Sequence, residues 1–135
     1  MTFDWSNYLI LAEELGQRTD EASRRSALSR AYYYVYHLAL QRAEANHFKP
    51  VAKQGTHAQL WDLFSGSPEP DCRRLGEIAS RMKRARERAD YESVFVRIED
   101  QIPATLDEAR DFAARLGRLP SRHPHPGSVR QGAQF

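Results

Sequence analysis

Two stretches of this chain repeat arginine, histidine and tyrosine at helical spacing, the side chains that hold phosphate, stack on bases and move protons. In the first, Ser26, Arg30, Tyr33, His37, Gln41 and Glu44 fall at i, i+4, i+7, i+11, i+15 and i+18. They form one polar stripe along an otherwise apolar segment. Arg30, Tyr33 and His37 therefore share a face, a guanidinium for an anion beside an imidazole suited to proton transfer. The same three also suit a helix contact, where Tyr33 and His37 would be hydrogen-bonded polar groups of the core.

The second stretch is read on a helical wheel of about 100° per residue. Leu75, Ile78, Ala79, Met82, Ala85 and Ala89 share one arc, and Arg73, Arg74, Arg81, Arg84 and Arg88 share another. Arg86 does not join the basic stripe; it falls inside the apolar arc. A guanidinium aimed at a core or an interface needs a carboxylate, a phosphate or backbone carbonyls to satisfy it. Asp90, one turn on, or an acid on the first or second helix would make a structural ion pair with it.

Other constellations are absent. The chain has no GxxxxGK[ST], GxGxxG or HExxH motif and no paired carboxylates at a hydrolase spacing. His123 and His125 lie in a Pro-rich stretch and make no preformed metal site. Cys72, the one cysteine, excludes an internal disulfide and reads as an ordinary small residue. Tyr32, Tyr33, Tyr34 and Tyr36 radiate in different directions on one helix, which favours core packing over a base-stacking platform.

These groups need elements to position them, and the chain is long enough for one domain. It has 135 residues, 41% hydrophobic and 28% charged, so a core is expected and wholesale disorder is not. Net charge is only +2, but 17 of the 20 basic residues are arginine. No apolar run approaches a membrane span, and MTFDWSNY lacks the basic region of a signal peptide, so no membrane association and a cytoplasmic location are expected.

Gly and Pro punctuate five helical segments. The first is expected over about 4–15, ended by Gly16. The second spans about 20–46, capped by Thr19 or Asp20, and is apolar around so much of its circumference that it belongs mid-bundle. A Thr56–Gln59 capping box opens the third, which Gly66 stops. The fourth runs from Pro70 to about Tyr91. A second box, Thr105–Glu108, opens the fifth, which ends before Gly117. The expected fold is an all-α antiparallel bundle of four to five helices over residues 1–119, with a flexible tail over 120–135.

At two of these helices the sequence resembles a known family. Ser29-Arg30-Ala31-Tyr32-Tyr33-Tyr34-Val35-Tyr36-His37-Leu38-Ala39 is similar to the SRAYYAxFHxA helix of HEPN-domain proteins. Thr56-His57 opens a short third helix as in that family, and Arg86-Glu87-Arg88-Ala89-Asp90-Tyr91 resembles its RxxADY ending of the fourth. The resemblance covers roughly residues 5–117. It implies an all-α, usually dimeric bundle concerned with nucleotides or RNA. Many members are ribonucleases of toxin–antitoxin, CRISPR or anti-phage systems, and others are partners of a minimal nucleotidyltransferase.

One feature departs from the family. HEPN ribonucleases carry an Arg followed four to six residues later by a His, whereas positions 87–122 here hold no histidine. Arg86 would then work without its usual partner unless His37 or His57 substitutes as a displaced base; these three are the catalytic candidates. The resemblance thus implies a non-catalytic or degenerate module binding RNA, a nucleotide or a partner protein of a defence system. Its binding candidates are Arg30, Tyr33, His37, Arg81, Arg84, Arg86, Arg88, Asp90 and Tyr91. The alternatives are a metal-independent ribonuclease toxin and a structural partner of a nucleotidyltransferase. A homodimer is expected, and no cofactor or metal.

Overall fold

Twenty-five residues without Gly or Pro make the longest helix, α2 (Glu21–Ala45), in a computed structural model that describes residues 2–52 and 55–128. Asp20 caps it, its carboxylate accepting the Ser23 N–H at 2.9 Å. The other helices are α1 (Ser6–Gly16), α3 (Thr56–Ser65), α4 (Pro70–Tyr91) and α5 (Ile98–Arg118), with a 3₁₀ turn at Pro126–Ser128. No strand occurs among the described residues, so the fold is an all-α bundle.

The central position of α2 follows from its apolar circumference: it packs against all four other helices. Ala31, Tyr32, Val35 and Ala39 are wholly buried, in one cluster with Phe64, Leu75, Met82 and Phe112. The antiparallel register of α2 and α4 is fixed near their ends. Arg25 on the first turns of α2 donates to the carbonyls of Ala89 at 2.9 Å and Glu92 at 2.6 Å, the last turn of α4 and the residue after it. That register puts Tyr33 opposite Arg86.

Three local signals are resolved differently from their sequence reading. The Thr56–Gln59 box does not form. Gly55 occupies the cap position without a side-chain bond, and the Gln59 amide instead brackets Val51, accepting its N–H at 2.7 Å and donating to its carbonyl at 3.0 Å. Helix α5 begins at Ile98, well ahead of the expected Thr105 cap. Thr105 is buried in mid-helix, where its hydroxyl accepts from Gln101 at 2.8 Å. Ile98 and Ile102 bury against Ala27, Leu28 and Phe95, and that burial carries the helix through Pro103 despite one lost ladder bond.

The expected tail is held against the bundle through residue 124. Arg42 on α2 donates to the carbonyls of Leu116, Leu119, Pro120 and His123 at 2.8–3.3 Å. Asn46 donates to Ser121, and Pro124 is fully buried. Residues 129–135 lie outside the described part. No helix among the described residues is long and apolar enough to cross a membrane.

Candidate functional site

Of the four tyrosines clustered on α2, Tyr32, Tyr34 and Tyr36 are buried, as their divergent directions require, and Tyr33 alone reaches the edge. Arg86 meets it from α4. Its Nη2 donates to the Tyr33 hydroxyl at 2.7 Å, and its guanidinium carbon lies 5.2 Å from the Tyr33 ring centroid and 5.6 Å from that of Tyr91. The placement of Arg86 inside the apolar arc of α4 is what turns it toward α2 rather than toward solvent.

Its pairing is incomplete. Arg86 Nε sits 3.0 Å from Asp90 Oδ2, close enough for Coulomb attraction. The N–H does not point at that oxygen, and Nε is a buried donor without a hydrogen bond. Asp90 also faces the Ser29 hydroxyl, at 3.4 Å. Arg86 is thus held by a carboxylate, a hydroxyl and two ring faces, with donor capacity left over.

A second guanidinium converges on the same ring. Arg30 lies one turn before Tyr33 on α2, and its guanidinium carbon is 4.8 Å from the Tyr8 centroid and 5.3 Å from that of Tyr33. Both arginines are half-buried and supported by aromatic faces, which fixes their direction at low entropic cost. Tyr91 closes α4 and is 76% exposed.

The two candidate histidines lie on the flank of this group and differ in their bonding. His57, at the start of α3, stacks on Tyr36 at 3.9 Å, and its Nδ1 is 2.6 Å from the Tyr32 hydroxyl. That hydroxyl accepts the Trp61 indole N–H at 2.9 Å. A neutral His57 with its hydrogen on Nε2 accepts the proton of that hydroxyl at Nδ1. Burial pushes the imidazole below its ordinary value of 6.5, and the charges of Arg86 and Lys83 push it further. His37 lies flat against Trp5, ring centroids 3.4 Å apart, and makes no hydrogen bond with the described residues. Burial, then the charge of Arg30, lowers its pKa too.

The nine binding candidates therefore divide. Arg30, Tyr33, His37, Arg86, Asp90 and Tyr91 gather along the edge shared by α2 and the end of α4. Arg81, Arg84 and Arg88 lie apart, in a groove between α4 and α5. Sequence reading did not single out Trp5 and Tyr8, whose rings receive His37 and Arg30. The three-residue spacing of the two large rings, ahead of the apolar run, was their only signal.

The remaining sequence candidates stay outside this group. Cys72 is buried, and burial raises its thiol pKa, away from nucleophilic reactivity. Among the described residues, no set of three or more His, Cys, Asp or Glu side chains is placed to hold a metal ion. Comparison with family models, with curated proteins and with solved structures finds no match for this chain.

Proposed function

We propose that this chain is a HEPN-type helical module that binds RNA or a nucleotide through Arg86, Arg30 and the Tyr33 and Tyr91 rings. One observation carries the reading: Arg86 is steered into place by Tyr33 and Asp90 yet keeps a buried donor unbonded. A phosphate oxygen is an acceptor that such a guanidinium takes up through an N–H that Tyr33 and Asp90 leave over. The exposed Tyr91 ring beside it offers a base a stacking face, worth about 1–3 kcal/mol per base. Homodimerisation and a nucleotidyltransferase-type partner belong to the same reading through the family resemblance. Titration of a labelled single-stranded RNA over a range of salt concentrations tests it. Saturable binding with a steep log–log salt dependence supports the reading; no binding at low salt ends it.

A second reading, metal-independent RNA cleavage, rests on His37. His37 carries it as an imidazole that makes no hydrogen bond with the described residues, whereas Nδ1 of His57 lies against the Tyr32 hydroxyl. It would take the proton of a 2′-hydroxyl as that oxygen attacks phosphorus and the 5′-oxygen leaves, with Arg86 against the phosphorane charge. Loss of RNA cleavage in chelator on His37→Ala, with RNA affinity retained, is the result this reading requires.

A further inference from the structure

On the opposite side of α4 from the Tyr33 contact, the guanidinium groups of Arg81, Arg84 and Arg88 line a groove of about 570 Å³ formed with α5. Their spacing of i, i+3 and i+7 sets three positive charges along roughly 10 Å of helix. Between them the floor is made of Ala85 and Ala104, so another backbone can approach closely. Two of the three are already ion-paired within the chain, which leaves one uncompensated positive charge in the groove. Arg81 Nε donates to Glu108 at 2.7 Å, and Arg88 lies 4.0 Å over the Phe95 ring with Glu92 3.5 Å away. Arg84, exposed, pairs with no carboxylate among the described residues.

From this geometry we infer that the α4–α5 groove is a docking surface for an acidic helix of a partner protein. Carboxylates at every third or fourth residue of such a helix repeat at the rise of the arginines they would face. The Ala85 and Ala104 floor admits the small residues between them. The groove is lined by no aromatic ring, so it lacks the stacking faces that hold single-stranded RNA. Arg84 is the charge the partner neutralises; Arg81 and Arg88 set the register on either side.

The test is anisotropy of a fluorescein-labelled helical peptide of Ala, Leu and Glu, with Glu every third or fourth residue, titrated with the full chain. The expected result is saturable binding that weakens with salt, falls roughly tenfold or more in Arg84→Glu, falls less in Arg84→Ala, and is unchanged in Arg86→Ala. Because Arg84 is exposed and outside any ion pair among the described residues, both variants should keep the wild-type thermal midpoint. Absence of peptide binding, or equal binding by Arg84→Glu, overturns the inference. Displacement of the peptide by a uridine oligonucleotide whose own affinity falls in Arg84→Glu reassigns the groove to RNA. Self-association that Arg84→Glu abolishes reassigns it to a second copy of this chain. The Arg86→Ala arm keeps this outcome separate from that of the α2–α4 site.

Discussion

Arg86 reaches across from α4 to donate to the Tyr33 hydroxyl at 2.7 Å, while its Nε, 3.0 Å from the Asp90 carboxylate, remains a buried donor without a hydrogen bond. The pair is more than a structural bridge. Tyr33 neutralises no charge, and Asp90 is 31% exposed at its side chain, so the ion pair is partly solvated. Removing the guanidinium therefore strands no buried carboxylate, and the loss of about 3–5 kcal/mol that such stranding brings does not apply.

The Tyr32 hydroxyl joins α2 to α3 by linking Trp61 to His57. Tyr32→Phe leaves the indole N–H without its acceptor in a site with no solvent access. A loss of about 1–3 kcal/mol is expected, read as a lower urea midpoint with an unchanged m-value.

Acid should weaken the fold through the two stacked histidines. Their pKa values lie below the ordinary 6.5 in the folded protein, chiefly through burial. The unfolded chain then binds more protons, so stability rises with pH in this window. It is full above about 6.5, falls as pH drops below that, and levels off beneath the folded values. Urea midpoints measured from pH 8 to pH 5 should show this slope, and His57→Gln should flatten part of it. A flat profile in the unmodified chain contradicts the neutral assignment of His57.

Arg42 sets where the chain can be shortened. Ending it at Leu119 deletes two of the carbonyls that Arg42 holds, the Asn46 contact to Ser121 and the buried Pro124. A loss of about 2 kcal/mol is expected, lowering the thermal midpoint by roughly 5–10 °C. Ending it at Ser128 keeps all of these contacts and should retain the part of the midpoint they supply.

How much was legible differs by element and has physical reasons. Helices α2 and α4 could be read because their apolar periodicity runs unbroken, and the expected Pro70–Tyr91 span is the observed one. Arg86 stood out because it is a charge in an apolar arc. The start of α5 was not legible: the box-like Thr105–Glu108 suggested a later start, while what decides it is the burial of Ile98 and Ile102 against distant residues. In the same way, nothing local to Trp5 or Tyr8 shows that they receive His37 and Arg30, because those contacts exist only once α1 packs on α2. The basic stripe, and the exclusion of Arg86 from it, were legible, but that Arg81, Arg84 and Arg88 line a groove with α5 needed the packed helices.

The most direct test of the α2–α4 site is Arg86→Ala measured two ways on one preparation: affinity for a labelled single-stranded RNA across a salt series, and the urea midpoint. The expected result is at least a tenfold weaker affinity with a salt slope shallower by about one. The accompanying stability loss should be no more than about 1–2 kcal/mol. Unchanged affinity and salt slope, with a loss of stability well beyond that, would make Arg86 a structural ion pair and contradict the account.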